Sequence, residues 1–310
     1  MTNVGTYAQH RLVLGITQET QSRIYGTQQQ IATGKKSQTF SGIADESRQL
    51  VTLRNLATRA DRYIANNTLV DTRLQVMETS TASLFEIASN LQVLLVNGLN
   101  EGNADALNIA GQADAMLQEL QGLLNVSREG RYLFSGSRTD TPPVDITQLP
   151  DQTVTATQYS IPTSDGDSLG YYQGDTERVR LRADDDVTVS YGVAASERGF
   201  ERLTRALHLV ATVTDPNTET ARLEEALRVV KQSIEDIPDI RSSIGNARNR
   251  IGEATARLND YLLYSEQTIS DIENVDVAEA VTRLSNDQAI LQASYYSLSA
   301  LSRLTMLEFI

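Results

Sequence analysis

Residues 53–95 read LRNLATRADRYIANNTLVDTRLQVMETSTASLFEIASNLQVLL. Within them Leu53, Leu56, Ala60, Tyr63, Asn67, Val70, Leu74, Met77, Thr81, Leu84, Ala88, Leu91 and Leu95 recur at alternating spacings of three and four. Only Asn67 and Thr81 are polar. A mean period of 3.5 residues, kept over so many turns, holds one stripe of a helix toward a partner helix and marks a bundle or coiled coil. At about 1.5 Å per residue the segment is roughly 65 Å long, which predicts a rod-like part of the molecule.

Working outward, Gly98 and Gly102 with Asn97, Asn100 and Asn103 break the stripe. Leu107, Ala110, Leu117, Leu120 and Leu124 then resume it as far as Gly130, which predicts a helical hairpin. After Gly136 the composition changes: Pro142, Pro143, Pro150 and Pro162 fall among Gly166, Gly170, Gly174 and Gly192. Between these punctuating residues, Thr153–Ile161, Glu177–Arg182 and Val187–Val193 alternate and are β-branched, which predicts short strands in a small β-rich insertion. Helical spacing returns at Phe200, Leu203, Leu207 and Val210, stops at Asp215-Pro216, and runs again from Thr218 to Pro238. Beyond Pro238, Ile244, Ile251, Leu258, Ser265 and Ile272 lie on a seven-residue grid, with Ala247, Ala254, Tyr261, Thr268 and Val275 as its companion row, predicting another long helix. The fold class expected is mainly α with a small β-rich insertion, the two halves of the chain pairing as a long antiparallel helical bundle or coiled-coil rod.

Both ends are weaker. Leu14, Thr17, Gln21, Ile24, Gln28 and Ile31 form a grid that is only half apolar, and Leu284, Leu291 and Leu298 form one good row with mixed companions. Ile290, Leu301, Leu304, Leu307, Phe309 and Ile310 make a second apolar set that the first row cannot cover. Helices of marginal intrinsic stability with more than one apolar side are expected to order on association with other subunits.

Composition removes most chemistry. The 310 residues include no Cys, no Trp and two His, which excludes disulfides, thiol nucleophiles and Cys- or His-rich metal sites. Lys plus Arg number 27 against 40 Asp plus Glu, a net charge of −13 that argues against nucleic acid as a partner. Leu12-Val13-Leu14-Gly15-Ile16 is too short for the core of a cleaved secretory signal, and no run is expected to reach the roughly 20 apolar residues of a spanning helix. Ala32-Thr33-Gly34-Lys35-Lys36-Ser37 lacks the first glycine and the hydroxyl position of a phosphate-binding loop, and fits a helix end followed by a basic turn. Asp165-Gly166-Asp167 and Asp184-Asp185-Asp186 lack the spaced ligand series of a calcium loop. His10 and His208 have no acid or nucleophile at motif spacing, and His208 is expected at a surface or boundary. No enzyme, cofactor or metal is expected.

Specific residues point further. Gln28-Gln29-Gln30-Ile31-Ala32-Thr33-Gly34-Lys35-Lys36 resembles the Leu/Ile-x-Thr-Gly-Lys-Lys/Arg segment of the bacterial flagellin superfamily. Ser270 to Leu284, reading SDIENVDVAEAVTRL, and Leu298 to Leu304, reading LSALSRL, are similar to the C-terminal arm of that family. Gly130 to Ser137 with Thr139 to Pro143 resembles its transition from helix to outer domain. After the Thr-Gly-Lys turn the chain departs from the family's paired acids followed by Pro or Ala, reading Ser41-Gly42-Ile43-Ala44-Asp45-Glu46-Ser47.

The resemblance implies an extracellular structural subunit of the flagellum, exported unfolded, that joins hook to filament or builds the filament itself. Residues 1–44 and 269–310 would form an inner coiled-coil assembly domain, 45–136 and 197–268 a helical rod, and 137–196 a β-rich outer domain. Leu14, Ile24, Ile31, Leu284, Leu291, Leu298, Leu301 and Leu304 would carry assembly. Leu53, Leu56, Leu74, Met77, Leu84, Leu91, Ile251, Leu258 and Ile272 would form the rod core. Implied partners are copies of itself, related flagellar subunits and an export chaperone, with no nucleic acid and no membrane insertion. A secreted coiled-coil adhesin is the more distant alternative.

Overall fold

The computed structural model describes residues 3–101, 108–149 and 170–307. Its elements are helix α1 (Asn3–Thr33), a 3-10 turn at Phe40–Ile43, α2 (Ala44–Glu101), α3 (Ile109–Leu124), strands β1 (Ser127–Arg128) and β2 (Arg131–Tyr132), and a 3-10 turn at Ile146–Gln148. Strands β3 (Val179–Arg182) and β4 (Thr188–Tyr191) follow, then α4 (Arg198–Ala211), α5 (Thr220–Glu273) and α6 (Val277–Leu307). The described chain is thus mainly α, as its patterning predicts, and carries two small antiparallel hairpins. It divides into two compact units, Met1–Arg59 with Tyr261–Ile310, and Ala60–Asp260.

In the 60–260 unit the stripe on α2 becomes the core. Leu74, Met77, Leu84, Leu91 and Leu95 are buried among Leu117, Leu120 and Leu124 of α3 and Ile237, Ile244 and Ile251 of α5. Each such side chain contributes about 1.5–3 kcal/mol through removal from water. Leu258 is also buried. The two polar stripe positions are buried and their donors are bonded: Thr81 Oγ1 donates to Met77 O at 2.7 Å, and Asn67 Nδ2 lies 3.0 Å from Ala183 O and 3.1 Å from Thr255 Oγ1. Arg248 of α5 reaches Asp71 and Glu78 of α2, while Thr255 meets Asn67, so the two helices run antiparallel here.

Several expectations are corrected. The helix read through to Gly130 ends at Leu124, because Glu129 and Gly130 at φ 54° and 73° form a two-residue turn joining β1 to β2. Helix α5 continues through Pro238 rather than stopping there. Pro238 lies on the exposed side, where water can replace its missing donor, while Ile237 and Ile240 are buried on the other side and pack against Gly199 of α4. Helix α4 is buried almost all round and not along one stripe, taking in Glu201, Arg205 and His208. Glu201 and Arg205 are tolerated there because they form an ion pair one turn apart. His208 is therefore a buried residue and not a surface one. Helix α2 holds an 18-residue window of mean hydropathy 1.2, long and apolar enough to cross a membrane by composition, contrary to the expectation that no run comes close; its apolar stripe is the core just described.

Strands β3 and β4 fall within the predicted Glu177–Arg182 and Val187–Val193, whereas Thr153–Ile161 lies outside the described residues. The triple aspartate sits in their turn, where Asp185 accepts a hydrogen bond from Tyr63 of α2 at 2.9 Å. The segment after β2 is pinned to the rest of the unit. Phe134 is buried edge-on to Phe200, with ring centroids 5.9 Å apart. Gly136 adopts φ +69° directly against Asp175, whose carboxylate accepts from Ser137 N at 2.8 Å and Ser137 Oγ at 2.5 Å. Burial acts to raise the Asp175 pKa, but these bonds and the Glu177 N–H outweigh it and hold the carboxyl below its usual range.

Candidate assembly interface

In the unit made of the two chain ends, α1 and α6 pair antiparallel: Gln21 Nε2 donates to Tyr295 Oη at 2.7 Å and Arg23 Nη2 to Asp287 Oδ1 at 3.0 Å, while Lys35 bridges to Asn274. Helix α1 presents Thr17, Thr20, Ile24, Thr27 and Ile31, with the three threonines buried and the two isoleucines half-buried. Opposite lies a row of Ala280, Leu284, Asp287, Leu291, Ser294 and Leu298, of which Ala280 is buried and the rest half-buried. Thr17 and Thr20 donate their hydroxyls to Val13 O and Ile16 O, one turn back in the same helix, at 2.7 and 2.8 Å. This seam is narrow and only partly apolar.

A knot of hydrogen bonds ties α1 to the α5–α6 connection. Helix α1 ends at Thr33, Gly34 at φ +69° reverses the chain, and Gly34 N returns to Gln30 O at 2.8 Å. Lys36 N donates to Glu273 O at 2.7 Å and Val275 N to Gly34 O at 2.9 Å. Glu273, the last residue of α5, takes Lys35 on one carboxylate oxygen at 3.2 Å and Arg54 of α2 on the other. Lysines at a helix C-terminus also face the negative end of its dipole. Asp276 then caps α6, accepting from Ala278 N at 2.9 Å and Glu279 N at 3.1 Å. Leu50, Leu53 and Ile272, with Ile269 against them, form the small apolar cluster of this unit, and Leu56 is half-buried.

Much apolar surface is left outside the seam. Leu12, Tyr25 and Tyr296 are 65%, 70% and 79% exposed, and Ile16, Val277, Val281, Ile290 and Tyr295 are exposed with them. Of the residues expected to carry assembly, Ile24, Ile31, Leu284, Leu291 and Leu298 line the α1–α6 seam. Leu14 lies off it and is exposed. Leu301 and Leu304 lie on the final turns of α6, whose side chains are outside the described residues. The grid of Leu14, Thr17, Gln21, Ile24, Gln28 and Ile31 meets the seam at Thr17, Ile24 and Ile31 only; the other buried positions on that side are Thr20 and Thr27, which carry no apolar signal. The contributions of Glu273 and Asp287 were also missed. Asp276 with Glu279 three residues on is a helix-start signature that the sequence does display.

The motifs that meet at this knot, Thr33-Gly34-Lys35-Lys36 and Asp271 to Asp276, fall in two matched family models. Residues 4–139 match the bacterial flagellin N-terminal helical region and residues 227–310 the bacterial flagellin C-terminal helical region. The chain belongs to the bacterial flagellin family. Its matched parts take in almost all of α1, then α2, α3 and the first hairpin, and later most of α5 and α6, leaving β3, β4 and α4 unmatched. This flagellin-family chain is 22% identical over 296 residues to flagellar hook-associated protein 3 of Escherichia coli strain K12, covering 90% of each chain. It is 20% identical over 308 residues to the protein of that name from Salmonella typhimurium, again covering 90% of each. Among solved structures it is similar in fold to a putative flagellar hook-associated protein from Vibrio parahaemolyticus, with TM-score 0.58, 16% identity, and 75% of this chain and 100% of that one covered. It is also similar to Bacillus cereus FlgL, with TM-score 0.53, 16% identity and coverages of 72% and 99%.

Proposed function

We propose that this chain is a structural subunit of the bacterial flagellum that joins hook to filament, and that it self-associates through α1 and α6. The observation that carries the reading is the pair of terminal helices. They meet along a seam only partly apolar, yet leave Leu12, Tyr25, Ile290 and Tyr296 facing solvent, apolar surface of the kind that marks an interaction site. The choice of the hook-filament junction is supported by the two relatives named flagellar hook-associated protein 3, each aligned over nine-tenths of both chains. In this reading residues 1–44 and 269–310 form the inner assembly domain, 45–136 and 197–268 the helical rod, and 137–196 the outward face. The partners are further copies, the adjacent hook-associated protein and flagellin, with an export chaperone holding the chain before secretion.

A second reading, flagellin itself, is favoured by the matched models being those of flagellin. A fluorescent label on the chain separates the two: a single spot at the filament base is expected, and continuous labelling along the filament points to flagellin. Loss of motility on gene deletion is expected, and full motility without the gene contradicts both. Leu291→Asp, which places a charge in the α1–α6 seam, is expected to abolish incorporation into flagella while leaving the unfolding of residues 60–260 unchanged. Equal incorporation of that variant contradicts assembly through these helices.

A further inference from the structure

The 60–260 unit contains a cavity of about 180 Å³ between α2, the β1–β2 hairpin and the β3–β4 hairpin. Its lining is mixed. Met77, Leu133, Val179 and Val193 supply apolar surface, and Met77 is almost fully buried. Three arginines, Arg73, Arg131 and Arg178, lie beside them, and Glu177, Glu197, Thr139, Thr176 and Ser196 also face the cavity.

Two of these arginines are partly engaged. Arg178 Nη2 lies 3.0 Å from Glu197, and Arg73 Nη2 lies 2.9 Å from Glu129. Two donors are left over. Arg73 has a side chain only 11% exposed, and its buried Nε has no hydrogen-bond partner. Arg131 forms no ion pair among the described residues. An unmatched buried guanidinium nitrogen costs about 1–3 kcal/mol or more, so such a donor is retained at a cost unless something accepts from it. Along the stretch formed by Met77, Leu133, Val179 and Val193 a water finds no partner, so water bonded to the arginines leaves that stretch unfilled. An acceptor carried on an apolar body satisfies both the arginines and that stretch. Glu177, exposed on the rim, disfavours ligands of more than one negative charge.

We infer that this cavity is a binding site for a monocarboxylate with an apolar body about the size of one aromatic ring, the carboxylate accepting from Arg73 and Arg131. The same chemistry is available from a free organic acid or from a side-chain carboxylate of a neighbouring chain. The chain has four methionines, so methyl-labelled methionine gives a simple spectrum in which Met77 reports on the cavity. Titration of the full-length monomer with benzoate is expected to shift the Met77 methyl saturably, with benzyl alcohol and inorganic phosphate binding at least ten-fold more weakly. Arg131→Gln, on an exposed side chain outside the core, is expected to weaken benzoate at least ten-fold without moving the unfolding midpoint, and Arg73→Gln to weaken it by a similar factor. A Met77 methyl indifferent to benzoate, equal binding of benzyl alcohol, or unchanged affinity in Arg131→Gln each overturns the inference. Repeating the titration on assembled chain assigns the source: benzoate excluded on assembly supports a neighbour's carboxylate, and retained binding supports a free acid. The monomer measurements do not depend on the assembly reading.

Discussion

Replacing Gly136 by alanine tests whether the turn after β2 is held as tightly as its geometry requires. A Cβ at this position falls 2.2 Å from Asp175 O, 2.3 Å from Asp175 Oδ1 and 2.9 Å from Asp175 C. Because two of these are backbone atoms, no rotamer change relieves the contact. Asp175 is itself fixed, its N–H donating to Ser135 O at 3.1 Å and its carboxylate bound by Ser137, so moving it away breaks hydrogen bonds on both sides of the turn. The left-handed backbone costs an alanine about 1–2 kcal/mol, and the loss of two hydrogen bonds, one to a charged acceptor, adds about 2–4 kcal/mol. Against this stands a gain of about 0.4–1 kcal/mol from a stiffer unfolded chain. The net expectation is a destabilisation of about 3–5 kcal/mol. For a unit of this size that lowers the melting temperature by roughly 6–20 °C. Gly130→Ala is the control, since Gly130 has the same sign of φ, at +73°, but nothing within 4 Å of its Cβ, and only about 1 kcal/mol is expected there. Thermal unfolding of both full-length variants followed by circular dichroism gives the comparison. If Gly136→Ala melts within 2 °C of Gly130→Ala, the packing against Asp175 has been misjudged.

Three further outcomes follow from named contacts. Glu219, before α5, accepts from Thr214 N–H and hydroxyl, Asp215 N–H and Arg222; burial acts to raise its pKa, but these bonds outweigh it and hold the group at about 2. A depressed folded pKa contributes stability that is full above the ordinary carboxyl range and lost as pH falls toward 2. Glu219→Gln should therefore cost on the order of 2 kcal/mol at pH 6, after discounting for a side chain 26% exposed, and nothing near pH 2, as read by urea midpoints at both values. Asp276→Ala removes the α6 cap and should cost about 1 kcal/mol, seen as faster hydrogen exchange in the first turn of α6 and not in α4. Arg248→Met should lose about 0.5–1 kcal/mol for each of its pairs with Asp71 and Glu78, and because all three side chains are 30–41% exposed, 1 M salt should remove most of the difference from wild type.

The long helices were legible because their signal repeats. Eleven of the thirteen stripe positions between Leu53 and Leu95 are buried, and Leu56 and Tyr63 are half-buried, so no single residue had to be read correctly. What failed were places where one tertiary contact overrides a local rule. Pro238 is a helix stop by propensity, yet Ile237 and Ile240 are anchored against Gly199 on the buried side and carry α5 past it. Helix α4 shows a one-sided apolar stripe; the four-residue spacing of Glu201 and Arg205 marks them as a pair, but nothing local signals that the pair and the sides around it are buried. Strands of two residues, like β1 and β2, carry too little alternation to be seen. The candidate interface was half legible: the leucine row of α6 announces itself, whereas the matching face of α1 is marked by threonines that pattern recognition counts as polar. The cavity was not legible at all, since Arg73, Arg131 and Arg178 come from three separate segments joined only by the fold.

Those threonines have a consequence for how the terminal helices behave. Asn67, in the other unit, needs an acceptor on Ala183 and a hydroxyl on Thr255, so its helix pays for any slip against its neighbours with an orphaned amide. Thr17 and Thr20 need nothing from outside, because each is already satisfied by the carbonyl one turn behind it. Buried hydroxyls that close on their own helix make no demand on what lies against them. Helix α1 can release α6 and accept a different helix without stranding those hydroxyls, and the pairing resembles a coupling that can be undone and remade more than a weld.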